Sequence, residues 1–252
     1  MRRPVIDTWL RWRGAFVLIV GLLIGWQALY WLVGDIALRS PLQTFRFTLQ
    51  FISSERFWPD FYETFIACTL AVLCAVSIGL TTGLVLGFGR LAGQVFEPML
   101  VAVYSIPKLT LYPILLLAFG LGMSAKVAFG AIHGIIPIAL FTINAVRNIR
   151  PVLIKTGRVL QYSPWQMAWK VLIPAALPEI VSGLRIGFSL TLVGTLLGEM
   201  FASQRGLGNL LMRAIGLHNV DLIMAIAVIV TTVAAIGSSV LLALDRRLHA
   251  RA

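Results

Sequence analysis

Charge is what this sequence has least of. Only 12% of its 252 residues are Asp, Glu, Lys or Arg, about half the share usual in a soluble domain. Acidic residues are the scarcest, 10 against 21 Lys and Arg, which leaves a net charge of +11. Two cysteines and three histidines are too few for a disulfide framework or a clustered metal site. Cys68 and Cys74 lie on different helix faces at their spacing, so both are expected to be small core residues. His133, with no second His or Cys near it, is expected to pack at a helix contact. There is no phosphate loop of the G-x-x-x-x-G-K-[ST] type, so any ATP must be hydrolysed by another chain. No Ser or Cys has a recognisable base beside it. The expectation is a non-enzyme that binds no metal and no cofactor of its own.

What the chain has instead is length of apolar sequence. Hydrophobic residues make up 59% and the mean hydropathy is +0.90. Uncharged or nearly uncharged runs cover residues 15–33, 65–89, 127–146 and 222–244. Residues 180–200 reach crossing length if Arg185 and Glu199 sit near the two interfaces. A sixth run, 99–124, is interrupted by Pro107, Lys108 and Pro113. A helix crosses the hydrocarbon core with about 20 apolar residues, and none of these runs alternates as barrel strands do. The expected fold is therefore all-α, a polytopic membrane protein of six transmembrane helices in one domain. An N-terminal span and external segment (1–62) precede a five-helix core (63–245). The first run is long for a signal peptide and lacks a small-x-small site after Trp31, so it is expected to stay attached.

Basic residues set the orientation. With the N-terminus inside, 14 of the 21 Lys and Arg fall on the cytoplasmic side, among them Arg2, Arg3, Arg147, Arg150, Lys155, Arg158, Lys170 and Arg251. Both termini are then cytoplasmic. The positive charge needs no nucleic acid, since inside bias and anionic lipid heads account for it. In the external segment, Ser40-Pro41 and Trp58-Pro59 read as turn signals, and Leu42, Phe45, Leu49 and Ile52 recur at helical spacing. Glycines four apart, at 79/83/87, 130/134, 183/187 and 194/198, mark close helix contacts.

Residues 149–178 form a charged, proline-punctuated cytoplasmic loop. Pro151 suits the first turn of a short helix running to about Leu160, with Ile154, Gly157 and Leu160 on one stripe and Lys155 and Arg158 beside it. Ser163-Pro164 reads as a cap starting a second helix through about Leu172, which Pro174 and Pro178 stop. Such a loop either lies in the membrane interface or docks into a soluble partner.

Several strings in this region carry a resemblance. Leu172-Ile173-Pro174-Ala175-Ala176-Leu177-Pro178, Gly183-Leu184-Arg185, Gly198-Glu199-Met200 and Gly206-Leu207-Gly208 resemble the membrane subunit of binding-protein-dependent ABC importers. Ser105-Ile106-Pro107-Lys108, Tyr112-Pro113-Ile114 and Phe119-Gly120-Leu121-Gly122 are similar to the nitrate/sulfonate/taurine branch. The likeness covers roughly residues 60–245. It implies a type I importer permease that pairs with a second permease copy or paralogue. It also implies two ATP-binding subunits, which hold the ATP and magnesium, and an external solute-binding protein, in the inner membrane of a bacterium. The loop would then be the coupling helix, with Ile154, Lys155, Thr156, Gly157, Arg158, Leu160, Gln161, Tyr162 and Ser163 contacting the ATPase. The family pattern opens with Glu-Ala-Ala and has Gly six residues after the Glu. Here Lys155 and Gln161 stand at those places.

Lys108 and Glu199 are charges in or near spans, where charge is costly and usually functional. Lys108 is expected either to line a path for an anionic solute, or to be a structural lysine at the proline kink, snorkelling or paired with Glu199. Glu199 is expected either to lead into an external loop (203–218) that helps close the path or to be a solvated interface carboxylate. The rival functions are a stand-alone secondary transporter or channel, a membrane enzyme, and a degenerate or regulatory permease half.

Overall fold

The structure is a computed structural model and describes residues 4–249. Arg2, Arg3 and Arg251, part of the orientation census, lie outside the described residues. The described chain is helical, without a strand: α1 (Pro4–Val33), α2 (Pro41–Ile52), α3 (Phe57–Phe88), α4 (Arg90–Ser105), a 3₁₀ turn (Lys108–Leu111), α5 (Tyr112–Phe119), α6 (Met123–Arg147), α7 (Pro151–Val159), α8 (Pro164–Met167), a π-turn (Ala168–Leu172), α9 (Ile173–Ala202), α10 (Leu207–Gly216) and α11 (Val220–His249). Five helices are long and apolar enough to cross a membrane. A sixth crossing arises if α4 and the 3₁₀–α5 segment, bent by 87°, count as one broken span. The fold class is all-α and membrane-spanning, as the apolar runs require.

Contacts divide the chain into two units, residues up to 58 with 211–230, and residues 59–210 with those from 231 onward. In the first unit, Arg39 ties three segments together. Its Nη2 donates to Asp221 Oδ2 at 3.0 Å, its Nε lies 2.7 Å from Asp221 Oδ1, and its Nη1 lies 3.0 Å from Asp35 Oδ1. Trp26 Nε1 donates to the Arg39 carbonyl at 2.9 Å. The hydrogen bond from Arg39 holds the Asp35 carboxyl below its ordinary range. Helix α2 starts where Ser40-Pro41 implied, with a reciprocal Ser40/Gln43 capping box. Trp58-Pro59 is not a turn: α3 already begins at Phe57, and proline is tolerated in a first turn because its missing N–H has no intrahelical partner there.

The second unit is built on a seam of small residues. Along α3, a Cβ at Gly79, Gly83 or Gly87 would meet the Cβ of Ile138, Thr142 or Val146 of α6 at 2.8, 2.5 and 2.9 Å. On its other side α6 meets α9: Gly183 lies against Phe141, Gly187 against Ile138, Gly194 against the His133 ring and Gly198 against Lys126. The backbones therefore approach as closely as glycine allows. His133 is a packing residue whose Nδ1 also reaches the Phe129 carbonyl at 2.8 Å. Cys68 is buried as expected, but Cys74 is exposed, on a face of α3 left open among the described residues.

The loop holds one clear departure from the expected pattern. Pro174 and Pro178 do not stop the second helix; residues 164–201 run as one helical span. For Pro174 the π-turn is the reason, whereas Pro178 lies inside α9. Ile173 N–H bonds the Ala168 carbonyl, one residue further back than in an α-helix. Widening there makes room for the Pro174 ring, which would otherwise press on the Lys170 carbonyl.

Candidate functional site

Helix α7 stands out from the loop as a short amphipathic rod held from behind. Ile154 packs on a small buried cluster of Ala145, Ile149 and Ala176. Gly157 is buried, and a Cβ there would come within 2.7 Å of the Met167 sulfur. The opposite face is bare. Val152, Lys155, Thr156, Val159 and Leu160 are all exposed, Val159 by 82%. The sequence stripe of Ile154, Gly157 and Leu160 is thus split: its first two members anchor the helix, and Val152 and Val159, not singled out from sequence, complete the free face. Spacing at 3.6 residues per turn does place 152, 155, 156 and 159 together, but only the position of α9 says which side is covered.

The helix ends in a Schellman turn. Tyr162 N–H bonds the Gly157 carbonyl and Gln161 N–H the Arg158 carbonyl, both at 3.0 Å. Gln161 sits at φ 52°, the left-handed region that glycine adopts freely. Glutamine therefore keeps the turn at some strain. Ser163 then caps α8 with a second reciprocal box through Gln166. Arg158 is exposed, and the Tyr162 ring lies under the Lys170 ammonium, 5.1 Å from its centroid.

At the other end of α6 and α9 lies a buried ion cluster. Lys126, only 1% exposed, donates to Glu63 Oε1 at 2.9 Å, Ser203 Oγ at 3.2 Å and the Arg205 carbonyl at 3.4 Å. Its ammonium is 3.7 Å from Glu199 Oε1. Glu199 is fully buried. Its Oε2 accepts from Thr64 Oγ1 at 2.8 Å and from Gly208 N–H at 3.0 Å. Asp60 Oδ1 accepts from Gly206 N–H, and Thr64 Oγ1 from Leu207 N–H, each at 2.8 Å. The first N–H groups of α10 are thus capped by side chains of α3 and α9, and the carboxylates sit where the helix dipole favours negative charge. Gly206, at φ 115°, is pressed so closely on the Glu199 carboxyl that a Cβ would lie 2.4 Å from it.

This cluster overturns two readings of the sequence. Glu199 is not a solvated interface carboxylate, and its cation is Lys126, which no sequence pattern singles out. Lys108 does not pair with Glu199. It is half-buried at the 87° break, with Nζ donating to the Tyr104 carbonyl at 3.1 Å and lying 4.4 Å from the Tyr104 ring centroid. Among the described residues no group of three or more His, Cys, Asp or Glu is arranged to hold a metal ion.

The chain as a whole is similar to known proteins. The taurine transport system permease protein TauC of Escherichia coli (strain K12) is 28% identical to this chain, over 95% of the chain and 92% of TauC. A probable ABC transporter permease protein of Haemophilus influenzae is 33% identical over 73% of the chain and 75% of that protein. A solved MetNI methionine ABC transporter in an inward-facing conformation shares the fold, with a TM-score of 0.65 and 21% identity over 74% of this chain and 93% of that chain. The family model described as binding-protein-dependent transport system inner membrane component matches residues 75–252. The chain belongs to that family and is the permease subunit of an ABC importer.

Proposed function

We propose that two such permeases, either two copies of this chain or this chain and a paralogue, enclose a path for a small anionic solute of the sulfonate, nitrate or taurine type. An external binding protein delivers the solute. Two ATP-binding subunits, which hold all the ATP and magnesium, dock on the inner side. Both termini face the cytoplasm in the bacterial inner membrane, in keeping with the positive-inside bias.

The observation that carries the reading is the α7 rod. A helix anchored through Ile154 and Gly157, with an amphipathic face of Val152, Lys155, Thr156, Val159 and Leu160 left free, suits insertion into a groove of a soluble partner. Arg158 flanks that face, and the Gln161–Tyr162–Ser163 turn fixes its angle. Lys108 near a proline break supports an anionic path, as does likeness to a taurine permease; Glu199 serves that path from behind, as an anchor of the outer end. The left-handed Gln161 speaks against a degenerate half, because the turn survives without glycine.

Reconstitution with the ATP-binding subunits tests it. Leu160→Glu leaves membrane insertion intact and abolishes solute-stimulated ATP hydrolysis. Full stimulation in that variant refutes docking through α7.

A further inference from the structure

Between α7 and the long helix is a cleft of about 520 Å³. Thr156 and Leu160 of the docking face line one edge of it, but the docking role gives no part to its remaining wall of Arg150, Leu153, Lys170, Val171, Pro174 and Leu177. Leu153 of α7 and Val171, Pro174 and Leu177 of the long helix form an apolar wall, while Arg150 and Lys170 stand at its rim. Both cations are exposed, and no Asp or Glu lines the cleft. The Lys170 ammonium is steadied over the Tyr162 ring, and the N-terminus of α7 beside Arg150 carries no side-chain cap.

The depth of this cleft follows from helix register. Gly198 lies on Lys126 and Gly183 on Phe141, so the antiparallel pair places Leu177 opposite Arg147, the last residue of α6, with Pro174 about one turn beyond that end. From Lys126 to Arg147 an α-helix rises about 32 Å, which matches a hydrocarbon core of about 30 Å. The apolar wall therefore sits where acyl chains meet headgroups. Lys170, one helical turn beyond Pro174, falls within the headgroup layer, about 5–7 Å thick on each face.

An apolar wall at the acyl boundary, topped by two unopposed cations, is complementary to one chemical class. We propose that this cleft binds an anionic phospholipid, its phosphate held between Arg150 and Lys170 and its glycerol and first methylenes lying on Leu153, Val171 and Leu177. Such a lipid bridges the root of α7 to the long helix and stiffens the element that meets the ATPase.

Native mass spectrometry of the intact permease tests this, after exchange into micelles containing phosphatidylglycerol or phosphatidylcholine at equal concentration. The wild-type chain retains phosphatidylglycerol in clear preference to phosphatidylcholine. In the Arg150→Gln/Lys170→Gln variant its apparent affinity for phosphatidylglycerol falls about 25-fold, from about 1 kcal/mol for each basic group near an anionic lipid. Lys155→Gln, which removes a nearby cation from the opposite face of α7, leaves the affinity unchanged. Equal retention of the two lipids overturns the proposal. So does an equal loss in Lys155→Gln, which means diffuse surface attraction. Complete displacement of the lipid by millimolar inorganic phosphate also overturns it, since the cleft is then a free-anion site. None of these readouts involves the ATPase, so failure here leaves the docking reading of α7 standing.

Discussion

Replacing Lys126 with methionine tests the buried ion cluster most directly. The substitution keeps most of the side-chain volume but removes the ammonium that touches Glu63, Ser203, the Arg205 carbonyl and Glu199. Glu63 is about one-third exposed and can take up water. Glu199 is fully buried and cannot, and without Lys126 its Oε1 faces no cation. Breaking a buried pair from one side costs about 3–5 kcal/mol because the remaining charge is uncompensated. Glu199→Gln removes the charge instead and leaves Lys126 paired with Glu63, so its cost is nearer about 1–3 kcal/mol, that of disturbed buried hydrogen bonds. With both changes no orphan charge remains, and the total loss falls short of the sum by about 0.5–3 kcal/mol. Reversible unfolding in mixed SDS micelles, followed by the fluorescence of the seven tryptophans, gives all three values. If Lys126→Met unfolds within about 1 kcal/mol of the wild type, or if the two losses simply add, the cluster is not the electrostatic anchor described here.

Other expectations concern separate parts of the chain. Gly83→Ala forces a methyl onto Thr142 and the Ala139 carbonyl and costs about 1–3 kcal/mol in the same assay, whereas Gly21→Ala, with open space around it, costs nothing. Gln161→Val, a β-branched residue at positive φ, destabilises the turn by about 1–3 kcal/mol and speeds trypsin cleavage at Arg158; Gln161→Gly does not speed it. The Asp35–Arg39 link stabilises the fold above the unfolded carboxyl value near 3.8, because the folded value is lower. That contribution is lost as pH falls through the folded value, so Asp35→Asn removes the acid-induced change in Trp26 fluorescence over that range.

The membrane architecture was legible because lipid imposes a simple rule: uncharged runs of crossing length must be helices. Five helices and one broken span appear where the apolar runs fall, with the Ser163 cap in use and the Ser40-Pro41 turn signal serving as the cap of α2. Glycine spacing foretold the α3–α6–α9 contacts because only glycine lets these backbones meet. The ion cluster was not legible. Glu63, Lys126 and the Glu199–Gly206 stretch are far apart in sequence, and their meeting depends on how three helices register. Lys126 at a helix end looks like any interfacial lysine until that register buries it. The continuous helix through Pro174 was missed for a local reason, since a π-turn has no composition of its own and here neutralises a residue that usually stops helices. The free face of α7 lay between these cases: its period was readable, but not which side α9 would cover.

The seam between α3 and α6 also constrains how the sequence can drift. Each contact sets a glycine on α3 against a β-branched residue on α6, at 79/138, 83/142 and 87/146. Together the two sites of a pair hold a nearly fixed volume, shared very unequally. A larger residue is admitted on α3 only if the facing residue on α6 shrinks at the same time, so the two sites change as one unit. Gly87→Val with Val146→Gly conserves that volume, while either change alone breaks it, one by collision and the other by leaving a gap. Only at 87/146, where the added atom meets Val146 side-chain atoms, can the bulky partner pass from one helix to the other at an unchanged distance; at 79 and 83 the Ile135 and Ala139 carbonyls hold α3 to glycine whatever faces it.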